Sequence, residues 1–120
     1  MHEVEVEFVD SEIAEGALAG ATALILKVRG DGKRYQLRLR MSRSFDGVAY
    51  AASFETTAEQ WSTVELPLEL FRPTFRGYVP RDAEPLDPGR VQQVGLMLTD
   101  KQEGRFRLEV AGIDAVRPSR

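Results

Sequence analysis

Residues Arg34 to Met41 read Arg-Tyr-Gln-Leu-Arg-Leu-Arg-Met, a strict alternation of polar and apolar side chains. A period of two places Tyr35, Leu37, Leu39 and Met41 on one face and Arg34, Gln36, Arg38 and Arg40 on the other, which is the pattern of a half-buried β-strand. The same period recurs along most of the chain. Glu3 to Val9 sets Val4, Val6 and Phe8 against Glu3, Glu5 and Glu7, and reads as one strand. Ala23 to Arg29 turns Leu24, Leu26 and Val28 to a core. Val48 to Phe54 does so with Val48, Tyr50, Ala52 and Phe54, leaving small Ala49, Ala51 and Ser53 on its other face. Trp61 to Leu66 is a further strand, stopped at Pro67, which cannot donate to a ladder. Val94 to Thr99 is apolar throughout, as a central strand would be. Arg105 to Ala111 alternates again, and Ile113 to Val116 extends it past Gly112. Several short, turn-punctuated strands predict an all-β chain folded as an antiparallel β-sandwich.

Turn signals fit between these runs. Asp10 to Gly20 is small and acidic and reads as a connection. Gly30-Asp31-Gly32-Lys33 predicts a hairpin between two strands. It is not a phosphate loop, because it leads into a strand instead of a helix N-terminus.

A chain of 120 residues makes one domain, residues 1–120, and 42% hydrophobic residues suffice for one modest core. Sixteen basic and nineteen acidic residues leave a net charge of −3. That balance argues against a general nucleic-acid binder, so no nucleic-acid partner is expected. The absence of cysteine excludes disulfides and thiolate chemistry. Met1 to Glu7 has neither the basic start nor the apolar run of a signal peptide. No apolar stretch approaches the ~20 residues of a membrane span. The expectation is a cytoplasmic protein.

Catalysis has little support. The only histidine is His2, near a terminus, so a serine–histidine triad is excluded. No His/Cys cluster suggests zinc. Asp31, Asp46, Asp100 and Glu103 lie in turns without the repeated Asp-x-Asp spacing of a calcium loop. The expectation is therefore no enzyme, no catalytic residues, no metal and no cofactor. An acid/base hydrolase built on two distant carboxylates is the least supported reading. The Arg34, Arg38, Arg40 stripe is either a solvated face or a surface for an anion or partner. Trp61 is either core or a ligand platform.

The stretch from Pro67 to Gln93 stands apart. It holds five of the six prolines, and its centre reads Phe71-Arg72-Pro73-Thr74-Phe75-Arg76-Gly77-Tyr78. Connections longer than about 12–15 residues are uncommon unless functional or disordered. Disordered segments lack such aromatic residues. An ordered loop with a working surface is expected. Phe71, Phe75 and Tyr78 are either anchors over the sandwich edge or an exposed patch for a partner. Arg72 and Arg76 could clamp a carboxylate or phosphate in bidentate fashion.

Several segments, in order, resemble one family. They are Val28-Arg29-Gly30-Asp31-Gly32-Lys33-Arg34-Tyr35, Phe45-Asp46-Gly47-Val48-Ala49-Tyr50, Phe54-Glu55-Thr56, Trp61-Ser62-Thr63-Val64, Leu66-Pro67, Phe71 to Gly77, Leu86-Asp87-Pro88, and Val94 to Glu109. Together they are similar to the domain of the complex I intermediate-associated protein 30 (CIA30) family, over roughly Gly20 to Ile113. The resemblance implies a galactose-binding-like jelly roll. It also implies a non-enzymatic protein-binding module, an assembly factor or chaperone for intermediates of NADH:ubiquinone oxidoreductase. The expected partner is a protein, such as a respiratory-complex assembly intermediate. Thr74, Phe75, Arg76, Gly77, Asp100, Lys101 and Gln102 match the family pattern. The partner- or ligand-binding candidates are thus Phe71, Arg72, Thr74, Phe75, Arg76, Tyr78, Asp100 and Lys101. The alternative is a small-ligand or carbohydrate-binding module working through loops at the sandwich end, an expectation from fold analogy. Family domains usually begin with strands that this chain does not show. Either Met1 to Gly20 substitutes for them, or the chain forms a homodimer through an exposed sheet edge or swaps strands, or Met1 is not the natural start of the domain.

Overall fold

The computed structural model describes residues 2–4, 8–14, 16–42, 48–75, 79–98 and 108–118. Nine strands run through these residues: β1 (His2–Val4), β2 (Phe8–Glu12), β3 (Ala23–Arg29), β4 (Arg34–Arg40), β5 (Ala49–Glu55), β6 (Trp61–Pro67), β7 (Arg72–Thr74), β8 (Gln93–Leu98) and β9 (Leu108–Val116). They form two antiparallel sheets, ordered β1-β9-β3-β6 and β2-β8-β4-β5-β7.

Period-two strands bury one face each, and two such sheets close on one another. Leu24, Leu26 and Val28 of β3 turn inward from one sheet. Tyr35, Leu37 and Leu39 of β4, with Tyr50, Ala52 and Phe54 of β5, meet them from the other. Leu66, Leu108 and Val110 complete the four-stranded side. The Tyr35 and Phe54 rings stack with centroids 6.2 Å apart. Each of the wholly buried leucines contributes about 2 kcal/mol over an exposed one.

Three sequence expectations change. The Glu3–Val9 run is not one strand. β1 pairs with β9 in one sheet and β2 pairs with β8 in the other, so the chain changes sheets between them. An uninterrupted alternation carries no mark of a change of partner. The first twelve residues thereby give each sheet an edge strand.

The Gly30–Lys33 turn is not a hairpin either. β3 is flanked by β6 and β9 over its whole length, and β4 by β5 and β8. With both edges of β3 taken, the turn carries the chain across to the opposite sheet. Side chains satisfy its backbone. Asp31 Oδ1 accepts from Lys33 N–H at 3.1 Å and from the Tyr35 hydroxyl at 3.0 Å. The Thr56 hydroxyl donates to the Lys33 carbonyl at 2.8 Å and accepts from Gly32 N–H at 3.1 Å. Gly32 takes φ +87°, which favours glycine.

The third change is in the 67–93 stretch, which contains regular structure: two 3-10 turns, Leu68–Leu70 and Pro88–Arg90, and the strand β7. β7 pairs with β5 through Ala49↔Thr74, Tyr50↔Pro73 and Ala51↔Arg72. Pro73 is tolerated because β7 is an edge strand.

Candidate functional site

The 67–93 segment is fixed at both ends by apolar anchors. After the Leu68–Leu70 turn, Phe71 swings into the core, 5% exposed. At the other end Val91 is wholly buried, and Gln92 N–H donates to the Arg40 carbonyl at 2.8 Å. Asp87 caps the second 3-10 turn by accepting from Gly89 N–H at 3.0 Å. Between the anchors, Tyr50 reaches out from β5 and donates its hydroxyl to the Glu84 carbonyl. Glu84 in turn pairs with Arg90 at 2.8 Å.

Tyr50 therefore divides two cavities beneath the segment. One, of about 430 Å³, is lined by Leu68, Phe71, Arg72, Pro73 and Leu86 beside Tyr50. The other, of about 510 Å³, is lined by Met41, Val48, Asp82, Glu84 and Arg90. Burial pushes the Tyr50 phenol above its ordinary pKa, the Glu84 charge adds to this, and Arg90 opposes it. The hydrogen bond and charge of Arg90 hold the Glu84 carboxyl below the usual range, and Glu84 raises Arg90 in return.

Among the candidates from sequence, Phe71 is a core anchor. Arg72 is exposed, with its guanidinium turned back onto the Glu69 carbonyl. Thr74 and Phe75 are half-buried. Arg76, Tyr78, Asp100 and Lys101 lie outside the described residues. Two residues that alternation and motif did not single out stand exposed on the same segment: Leu70 at 51% and Val79 at 68%. An apolar residue in an irregular stretch carries no periodic sign of which way it faces.

The arginine stripe of β4 is not a solvated face. Arg34 is exposed and pairs with Glu55 at 3.2 Å. Arg38 is half-buried, with Nη1 3.3 Å from Gln36 Oε1 and 3.7 Å from Met97 Sδ. Arg40 is 6% exposed, in a row with Gln93 and Ala49, both buried, across the outer side of the five-stranded sheet.

A third concavity lies at the corner where β3 leaves its sheet. About 560 Å³ is lined by Arg29, Gly30, Asp31, Ala58, Glu59 and Glu109. Arg29 bridges two neighbours there. Its Nε donates to Glu109 Oε1 at 2.9 Å, and its guanidinium carbon lies 5.5 Å from the Trp61 ring centroid. Trp61 is thus half-buried under an arginine. Among the described residues, no three His, Cys, Asp or Glu side chains are grouped to hold a metal.

The ordered segments that resemble one family are matched by a direct comparison. The family profile described as complex I intermediate-associated protein 30 (CIA30) covers residues 9–110. The chain belongs to this family. The match opens inside β2, ahead of Gly20, where the resemblance by motif begins. A probable complex I intermediate-associated protein 30, mitochondrial, from Caenorhabditis elegans is 30% identical over 91 residues, 72% of this chain and 27% of the relative. The Mus musculus complex I intermediate-associated protein 30, mitochondrial, is 30% identical over 92 residues, 72% of this chain and 28% of the relative. The chain spans about a quarter of the length of these curated relatives. The expectation of a cytoplasmic protein is corrected here, since the relatives are named as mitochondrial proteins.

Among solved structures, the family 11 carbohydrate-binding module of a Clostridium thermocellum cellulosomal cellulase superposes with a TM-score of 0.70. It is 16% identical, over 92% of this chain and 66% of that one. The same kind of module in complex with a β-1,3-1,4-mixed-linked tetrasaccharide gives 0.67 at 17% identity. At such identity the likeness is one of fold: this sandwich is a galactose-binding-like jelly roll.

Proposed function

We propose that this chain is a non-enzymatic protein-binding module that takes part in assembly of NADH:ubiquinone oxidoreductase by holding a protein intermediate. The observation that carries the reading is the family match over residues 9–110, joined to relatives named for association with complex I intermediates. The surface assigned to the partner is the 67–93 segment. It is anchored by Phe71 and Val91, yet turns Leu70, Arg72 and Val79 to solvent. Exposed aliphatic residues and an arginine on a held segment suit a protein interface. Thr74 and Phe75 lie in the same segment, Arg76, Asp100 and Lys101 are further candidates by family pattern, and Tyr78 is one as an aromatic residue of the segment. The place of action proposed with it is the compartment where complex I is put together.

A capture experiment tests this. Immobilised wild type is expected to retain complex I assembly intermediates from detergent-solubilised respiratory membranes. Leu70→Asp/Val79→Asp is expected to lose them while keeping the wild-type melting curve. Retention undiminished by the double variant would rule out the segment as the binding surface.

A second reading rests on the corner cavity. Asp31, Glu59, Glu109 and Arg29 around about 560 Å³ offer the acceptors and donors that a polyhydroxylated ligand would use. Titration calorimetry with mixed-linked β-glucan oligosaccharides, on wild type and Asp31→Ala, distinguishes it. Heat that vanishes in the variant favours the sugar reading, and no heat from wild type removes it.

A further inference from the structure

β6 is the last strand of its sheet, and among the described residues it pairs only with β3. Seven residues make it the longest such edge, beside the three of β1, the five of β2 and the three of β7. Long open edges are usually blunted, because their unpaired N–H and C=O groups recruit another strand.

The register shows which groups face outward. Leu68 N–H donates to the Thr22 carbonyl at 3.0 Å, one step beyond the Ala23↔Pro67 pair. Hydrogen-bonded pairs alternate along an antiparallel ladder. The bonds to β3 therefore fall on Leu66, Val64 and Ser62. The Gly30 carbonyl agrees, since it turns to the same side and accepts from Glu59 N–H at 3.0 Å. Trp61, Thr63 and Glu65 then direct their backbone groups to the open side, and so does Pro67. Pro67 costs no bond to β3 and offers no donor outward.

We propose that two copies of this chain pair edge to edge through β6, antiparallel about a two-fold axis at Thr63. The occupant of the edge is thus a second copy, and the contact is isologous. Registers centred on one residue of β6 keep the buried faces on the same side, and centring on Glu65 would set Glu65 against Glu65 and Thr63 against Pro67. Centring on Val64 sets Trp61 against Pro67, which has no N–H to give. Centring on Thr63 sets Thr63 against Thr63 and Trp61 against Glu65, and every outward N–H finds a carbonyl. Pairing then ends where Pro67 would meet Glu59, whose φ of +60° breaks the strand.

Charge favours the same register. Each Glu65 carboxylate comes across from the other copy's Trp61, on whose ring Arg29 sits. No like charges are directly opposed along β6. The exposed Leu70 follows just beyond the pairing segment. This inference stands apart from the partner-binding role of the 67–93 segment.

The test uses sedimentation and a crosslink. Wild type is expected to rise toward twice the monomer mass with concentration. Thr63→Pro removes the central N–H on the open side and none given to β3, and is expected to stay monomeric with a wild-type circular dichroism spectrum. The chain has no cysteine, so a disulfide in Thr63→Cys must join two copies. Hydrogen-bonded pairs lie about 5.5 Å apart, within disulfide reach. Thr63→Cys is expected to crosslink under mild oxidation, whereas Glu65→Cys is not, since the two Glu65 sites lie about 14 Å apart in this register. A wild type of monomer mass at every concentration overturns the proposal and leaves the edge to another protein's strand. A crosslink in Glu65→Cys but not in Thr63→Cys, or a folded Thr63→Pro that still dimerises, overturns it as well.

Discussion

Arg29 and Glu109 are cross-strand neighbours on β3 and β9, joined by a hydrogen bond of 2.9 Å from Arg29 Nε to Glu109 Oε1. The two are unequally buried. The Glu109 side chain is 6% exposed and that of Arg29 is 37%. Arg29 also lies over Trp61, so one guanidinium couples three strands of the four-stranded sheet.

That asymmetry ranks two substitutions. After Glu109→Gln, Arg29 can turn to water and keeps its contact with Trp61. After Arg29→Ala, the Glu109 carboxylate loses its Arg29 partner but not its burial. Arg29→Ala is expected to cost about 3 kcal/mol and Glu109→Gln about 1 kcal/mol. Urea denaturation of both variants measures the order. A larger loss for Glu109→Gln would show that burial of the carboxylate is not what sets the cost.

Gly30 leaves no room for a side chain. A Cβ built there would lie 2.2 Å from Thr56 Cβ and 2.3 Å from Thr56 Oγ1. Thr56 cannot easily move, because its hydroxyl bonds both the Gly32 N–H and the Lys33 carbonyl of the corner. Gly30→Ala is expected to destabilise by about 3 kcal/mol, at the upper end for overpacking. The double variant Gly30→Ala/Thr56→Gly should recover part of this loss, since the atoms in conflict are gone. Melting temperatures of the four proteins in the cycle give the coupling, and an additive result would locate the strain elsewhere.

The residues that sequence places correctly are those whose burial depends on one face of one strand. β3 to β6 and β8 follow their alternation or apolar run to within a residue or so, because period two reports one-sided burial directly. Arg40 escapes that logic. Its face is polar by pattern, yet its neighbours in the sheet, Gln93 and Ala49, are buried with it. Gly-Asp-Gly marks a reversal of the chain, but a corner between sheets uses the same residues as a hairpin. β7 hides behind Pro73, which argues against a strand anywhere except an edge. The corner cavity is the least legible of all. Asp31 and Glu109 line one space only because β9 lies next to β3, and nothing local to either residue says so.

Glu59 adopts φ +60° in the turn between β5 and β6, closed by Gln60 N–H to the Thr57 carbonyl at 3.2 Å. A left-handed residue with a long side chain carries backbone strain of about 1 kcal/mol. Glu59→Gly is expected to stabilise by about 0.5 kcal/mol, relief of strain being partly offset by the entropy glycine brings to the unfolded chain. Glu59→Val, branched at Cβ, should destabilise. Equilibrium unfolding in urea resolves both. If the glycine variant were less stable, the Glu59 side chain would be holding the corner by contacts of its own.

Tyr50 gives the fold an alkaline limit. Its folded pKa lies above the ordinary value of 10.0, chiefly through burial, with the Glu84 charge adding to it. A raised folded pKa means that the neutral form is favoured in the native state. The stability this lends is fully present below the unfolded pKa and is lost as pH rises through the folded one. Below about pH 10, Tyr50→Phe should cost about 1 kcal/mol, the net worth of the hydroxyl bond to the Glu84 carbonyl. Above it, wild type must either hold a phenolate beside Glu84 or release the 67–93 segment. The phenylalanine variant has no proton to lose there. The two stability curves should converge with rising pH. Unfolding free energies measured from neutral to strongly alkaline pH test this, and a difference independent of pH would mean that Tyr50 ionises in the folded protein as freely as in the unfolded chain.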